Sequence, residues 1–374
     1  MEKKLKVGFI GGSINSAVGY THKIACQMDE KWELVSGCFS TNEKVNYDTA
    51  EVYGIKREKI YNNWKAFLDN ERKEIDAICI LTPTDTHYEI IMYALKLGYA
   101  IICEKAMVSD YSDAVKICNY VKKNNNFLVV TYNYTGYPML RELKEWILNG
   151  KLGTITKIII EMPQEGFAKL SSDEEPIIPQ KWRLKDDIIH TLSLDLGVHL
   201  QNIIYFLTGE KPIRLVADGA TDGNFDTVVD DVMCIAEYTN GLRSQIWYSK
   251  SAIGNRNGLR IRVYGKSGSA EWFQMEPEKF IYSDVFGNQR IIDRSVKNYV
   301  GNALRYNRFK AGHPAGFIEA FSNYYYDIAE CLNQYINLGK YKSEFIFDSF
   351  DAKEGLKMLD AISKSIVEKR WVEV

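Results

Sequence analysis

The sequence predicts an α/β domain with a doubly wound parallel sheet, followed by an α+β domain whose sheet is mainly antiparallel. Three observations predict it. Short Val/Ile-rich runs alternate with amphipathic helical patterns over the first 133 residues. A glycine-rich turn, "GGS" at 11–13, follows the first apolar run. After Tyr132 this rhythm gives way to strands separated by turn signals, with helices gathered at the end.

The predicted strands of the first domain are 5–10, 32–39, 76–81, 100–103 and 127–132. Helices are predicted over 19–29, 43–53, 63–70, 86–97 and 112–124. Asn63, Asp85 and Ser109 or Asp110 suit N-caps, and Gly54 and Gly98 suit C-terminal stops. The second part opens with a helix over 138–149, started by Pro138, and a long strand over 154–162. An irregular polar stretch leads to a helix over 190–207 that stops at Gly209. Strands follow at 213–221, 229–238, 242–250, 258–264 and 269–274, with Asn240-Gly241 a hairpin signal. Helices over 315–337 and 349–367 close the chain. The expected domains are 1–133 and 134–374, with a C-terminal helix available to pack back on the first.

The chain has 374 residues, 46% hydrophobic and 26% charged, with a net charge of −2. That is globular composition with ample material for two cores. No basic run exceeds two residues, so neither a nucleic-acid nor an anionic-membrane surface is expected. No apolar stretch reaches the ~18–20 residues that span a bilayer, and the apolar run near the N-terminus is too short for a secretory signal. The seven cysteines lie far apart without a Cys-x-x-Cys pair, so buried thiols in the cytoplasm are expected.

A dinucleotide site of the Gly-x-Gly-x-x-Gly type uses glycines for a tight turn and presents a helix N-terminus to pyrophosphate. Gly11, Gly12, Ser13 and Ile14 occupy that turn here, but the next glycine is Gly19, so the loop is three residues too long. At the end of the second strand the ribose-reading position carries Ser40 and Thr41, with no carboxylate before Glu43. Those hydroxyls suit a ribose 2′-hydroxyl or a 2′-phosphate, and both NAD and NADP remain open.

Further stretches resemble the glucose-fructose oxidoreductase/inositol dehydrogenase/MocA-like (Gfo/Idh/MocA) family. "ILTPTDTHYEIIMYALKLGYAIICEKA" (80–106) resembles its Thr-Pro-x-x-x-His … Cys-Glu-Lys-Pro pattern, and "LDLGVHLQNIIYFLTG" (194–209) its Asp-x-Gly-x-His helix. "GYTH" (19–22) resembles its Gly-x-x-His, and "YNYTGYPML" (132–140) and "GHPAGFIEAF" (312–321) resemble a branch with the longer glycine loop. The resemblance implies a Rossmann domain followed by an open-faced antiparallel sheet domain. It also implies an NAD(P)-dependent oxidoreductase of sugars, polyols or nucleotide sugars, working as a homodimer or homotetramer. Carried over residue by residue, the catalytic group is Lys105, Asp195 and His199. Cofactor contacts then fall to Gly11, Gly12, Ser13, Ile14, Ser40, Thr41, Thr82, Pro83, His87, Glu104, Lys105 and Asn133. Substrate contacts fall to Lys105, Tyr134, Trp182, Arg183, His199 and His313. Two departures stand out: Ala106 replaces the proline after the lysine, and "KDDIIHTLSL" (185–194) replaces a glycine-rich approach to the helix.

The chemistry suits these residue types. Oxidation of a carbinol needs a base for the hydroxyl proton while hydride passes to nicotinamide. Asp195 and His199 are four apart and share one helical face. His199 is placed to accept the proton, Lys105 to stabilise alkoxide charge and Asp195 to sustain the positive charge. Other readings of the same residues stay open. The pair is also compatible with a helix surface pair or a satisfied interior histidine, and with His190 it offers three possible metal ligands, although no metal is expected. His87 suits a structural role equally, and Trp182 with Arg183 suits either a sugar face and acidic group or plain packing. As a function, a cofactor-binding regulator without turnover is the first alternative, and a reductase of an imine or non-sugar diol the second.

Overall fold

The structure, a computed structural model, describes residues 3–374. The chain divides into two units. The first runs to Gly136 and includes Phe317–Lys353, whereas the second comprises Tyr137–Gly316 and Glu354–Val374. The division differs from the sequence reading beyond its first break, at 136 instead of 133. The penultimate helix belongs to the first unit, and the last helix is shared between the two.

The first unit is built on strands β1 (Leu5–Gly11), β2 (Trp32–Cys38), β3 (Ala77–Leu81), β4 (Ile101–Glu104) and β5 (Leu128–Thr131). They pair in parallel in the order β5-β4-β3-β1-β2. β3, β4 and β5 are buried at every position, which is why their sequences are continuous apolar runs. A two-residue strand, Phe347–Asp348, pairs antiparallel with the free edge of β5. Its shortness left no periodic signal in the sequence. The helices are α1 (Gly19–Met28), α2 (Glu43–Tyr53), α3 (Trp64–Glu71), α4 (His87–Leu97) and α5 (Tyr111–Asn124). Asn63 and Asp110 cap α3 and α5 as expected, and Gly54 and Gly98 end α2 and α4 in the left-handed conformation. Asp85 does not cap α4: it lies in a 3₁₀ turn, Thr84–Thr86, and Thr86 precedes the helix without a side-chain cap.

The second unit holds α6 (Pro138–Leu148), strands β6 (Ile155–Pro163), β7 (Pro212–Ala220), β8 (Asp231–Tyr238), β9 (Arg243–Ser249), β10 (Arg260–Gly265) and β11 (Gly268–Phe273), and α7 (Val198–Thr208). Two further strands, β12 (Lys279–Asp284) and β13 (Gln289–Asp293), were missed from sequence because their exposed, mixed composition lacks a clean alternation. With Val372–Glu373 at one edge they form a nine-stranded sheet in which β6 and β9 are parallel and the other pairs antiparallel. Asn240 and Gly241, both at positive φ, close the β8–β9 hairpin. β8 alternates buried and exposed side chains along its length, so one face of the sheet is covered and the other is not. Two long helices complete the chain, α8 (Phe317–Leu338) and α9 (Ser349–Glu368). All seven cysteines are buried thiols, and among the described residues no helix is long and apolar enough to cross a membrane.

Candidate active site

In the first unit the motif residues gather at the carboxyl ends of the parallel strands, where open α/β sheets form ligand crevices. Gly11 ends β1 opposite Leu81 of β3, and Glu104 ends β4 opposite Thr131 of β5. The turn after β1 is a close backbone crossing. A Cβ on Gly19 would lie 2.2 Å from the Gly12 carbonyl oxygen, and Gly12 itself has φ +71°. The extra residues therefore bulge outward while the Gly12–Gly19 contact is kept. Within the bulge Ser16 N donates to Ser13 O, and Ile14 N donates to Thr49 Oγ1. Ser16 Oγ accepts from Val18 N and Gly19 N, and the first turn of α1 carries no acidic residue.

These features fit a dinucleotide. The glycine crossing leaves backbone accessible to a diphosphate, and the uncharged helix N-terminus favours an anion. Asn133, just beyond β5, holds a buried Nδ2 with no hydrogen-bond partner among the described residues, an unspent donor at the same sheet edge. Ser40 is half-buried and accepts from Asn42 N, and Thr41 is exposed. Thr82 is half-buried and Pro83 exposed at the end of β3.

Lys105 follows β4 and is half-buried, and its peptide bond to Ala106 is cis. Its neighbour Glu104 is braced from within. His22 of the GYTH motif is fully buried, with Nε2 3.2 Å from Glu104 Oε1 and Nδ1 2.7 Å from the Tyr325 hydroxyl. Thr131 Oγ1 donates to the same Glu104 oxygen, and the Cys79 thiol lies 3.3 Å from Tyr325 Oη. Burial pushes the Glu104 carboxyl up, but His22, Lys105 and Thr131 outweigh it and hold the carboxyl below its usual range. Tyr325 comes from α8, and nothing in the run "NYYYD" marks it over its neighbours.

In the second unit a turn of π-helix, Ser193–Gly197, runs directly into α7. Such wide turns inside helices cluster at functional sites. It carries Asp195, and α7 carries His199, which is buried at 5% exposure. Asp195 Oδ2 is gripped by the Arg183 guanidinium and by the Lys250 ammonium. Lys250 was not singled out from sequence. Its signal was present, since period-two alternation puts it on the inward phase of β9 with Ile246 and Tyr248. Gly197 is explained by packing: a Cβ there would lie 2.9 Å from Tyr248 Cζ.

Several of the residues singled out from sequence have close partners of their own. His87 is fully enclosed, with Nε2 2.8 Å from Thr82 O and Nδ1 3.1 and 3.2 Å from Ala106 O and Met107 O, so backbone carbonyls surround both ring nitrogens. Burial lowers its pKa, and its place is to brace the Thr82 turn against the Ala106 segment. Glu104 turns inward to buried partners and does not face outward to a ligand. Tyr134 is buried with its ring edge-on to Phe317. Arg183 is spent partly on Asp195, with its guanidinium 4.3 Å over the Trp182 ring. His190 bonds Ser363 instead of joining Asp195 and His199, and among the described residues no three His, Cys, Asp or Glu side chains form a metal-binding group. His313 lies in an exposed loop against Phe309 and Lys310, and its contacts do not reach Asp195 or His199.

Residues 5–132 match the model described as oxidoreductase family, NAD-binding Rossmann fold, and residues 140–271 match the GFO/IDH/MocA C-terminal domain. The uncharacterized oxidoreductase YfiI of Bacillus subtilis is 27% identical over 88% of this chain and 86% of its own. The inositol 2-dehydrogenase of Rhizobium meliloti is 23% identical over 80% of this chain and 81% of its own. Among solved structures, an inositol dehydrogenase homolog of Azotobacter vinelandii, complexed with NADH and myo-inositol, superposes with a TM-score of 0.90 at 24% identity. It covers 100% of this chain and 98% of that one. With both family domains present in order, the chain belongs to the Gfo/Idh/MocA family of oxidoreductases, and its first domain is that family's NAD-binding Rossmann domain.

Proposed function

We propose that the protein interconverts a carbinol and a carbonyl on a sugar or polyol, using NAD or NADP. The observation that carries this reading is the ionic grip on Asp195, which fixes a carboxylate one helical turn before His199. In the proposed reaction His199 takes the hydroxyl proton and Asp195 sustains the imidazolium that results. Lys105 donates a hydrogen bond to the reacting oxygen and offsets alkoxide charge. Bound NAD(P) supplies the hydride acceptor. Gly12, Gly19 and the N-terminus of α1 hold its diphosphate, Asn133 donates from the end of β5, and Ser40 and Thr41 read the ribose. Relatives named levoglucosan dehydrogenase, inositol 2-dehydrogenase and D-xylose 1-dehydrogenase support cyclic polyols and aldoses as the first substrates to try.

The test follows absorbance of reduced cofactor with NAD and NADP against cyclic polyols, aldoses, sugar acids and nucleotide sugars. Turnover on one class is the expected result. Cofactor binding without turnover on any of them would favour the regulatory alternative.

The uncovered face of the nine-stranded sheet supports self-association. Met233 and Ile235 stand 58% and 49% exposed there, and a depression of about 530 Å³ lined by Ile159, Val216 and Trp247 adjoins them. Light scattering should return two or four times the 43.0 kDa chain mass. A monomer would refute this assembly.

A further inference from the structure

We propose that Lys250, the residue directly after strand β9, is a positioning residue of the reaction, holding Asp195 ionised and in register. The inference rests on the reading of His199 and Asp195 given above. It adds a residue that lies outside every motif in the sequence.

A buried ammonium is costly unless it is paired, so a lysine at 6% exposure calls for a partner. Lys250 is pinned at both backbone groups: its N–H donates to Asp230 O and its carbonyl accepts from Phe167 N, each at 2.8 Å. The stem is thereby fixed, the ammonium stands 5.1 Å over the Phe167 ring, and it reaches Asp195 Oδ2.

Two residues earlier on the same face of β9, Tyr248 seats the same π-turn. Its hydroxyl lies 2.8 Å from Ser193 Oγ, and its ring fills the space beside Gly197. β9 and the residue directly after it thus grip the turn at Ser193, Asp195 and Gly197. A π-turn shifts the facing of every residue after it relative to a regular α-helix, so the clamp also governs where His199 points. Arg183 adds a second cation to the same carboxylate oxygen from a 3₁₀ turn, whereas Lys250 does so from the sheet.

The test uses the full-length protein with the substrate found in the panel. Loss of the orienting partner of a reacting group costs about 10–100-fold, and that fall in kcat is expected for Lys250→Met, with the KM for cofactor unchanged. Lys250→Arg should recover most of it, because a cation is restored. Asp195→Asn combined with Lys250→Met should be no slower than the slower single variant, since both act through one carboxylate. Wild-type kcat in Lys250→Met, alongside a dead His199→Ala, would sink the inference and spare the reaction. Multiplying losses in the double variant would also sink it. If Lys250→Met does not fold, Tyr248→Phe takes its place. It removes the hydroxyl on Ser193, keeps the ring, and lowers kcat at constant cofactor KM; an unchanged kcat overturns the clamp. A wild type inactive on every substrate refutes the reaction itself, and this role with it.

Discussion

His199→Ala lowers turnover by about 10²–10⁴-fold, the usual contribution of a placed acid–base group, and leaves cofactor affinity unchanged. The split follows from where the groups lie. The dinucleotide features belong to the first unit, at the ends of β1, β4 and β5, and His199 belongs to α7 of the second. Removing the imidazole takes away the proposed proton acceptor without touching the glycine crossing. The residue is buried, so the cavity left by truncation also costs stability, and His199→Gln serves as a control that keeps volume and loses the base. Steady-state rates, with NADH binding followed by fluorescence, separate the outcomes. Equal turnover in His199→Ala and wild type would assign the proton to another group. Lost NADH binding would place His199 in the cofactor site.

Gly19→Ala weakens cofactor binding and lowers stability. The new Cβ would sit 2.2 Å from Gly12 O and 2.4 Å from Gly12 C, distances that no side-chain rotation relieves because the obstacle is backbone. Overpacking of this kind costs about 1–3 kcal/mol or more, and the chain can avoid it only by moving α1 away from β1. That movement opens the turn on which the diphosphate rests and pulls on His22, three residues along, whose ring braces Glu104. A raised Kd for NADH and a lower urea midpoint are therefore expected together. Ala17→Gly, at an exposed position within the bulge, provides the contrast and should change neither greatly. Wild-type NADH affinity in Gly19→Ala would show that the crossing does not support the cofactor.

The two largest decisions about this protein were legible in the chain. Five short, mostly apolar runs separated by helices, three of them buried at every position, specify a doubly wound parallel sheet, because only a sheet covered on both faces asks for strands of that kind. Motifs such as CEKA and DLGVH mark the proposed catalytic residues, because a motif records which residue types stand at a strand end or on one helical turn. What the sequence could not supply was the set of partners. Tyr325 and Lys250 lie 303 and 55 residues from the groups they touch, and periodicity carries no information at that separation. The same limit applies to His87 and Glu104, which the fold buries against polar partners. A polar residue near a motif looks outward-facing in sequence, and only the folded chain shows whether its hydrogen bonds are already spent. Local physics determined the elements and the reactive residue types. Tertiary structure alone decided which charges are buried together, because pairing in space, not order along the chain, sets the energy of a buried ion.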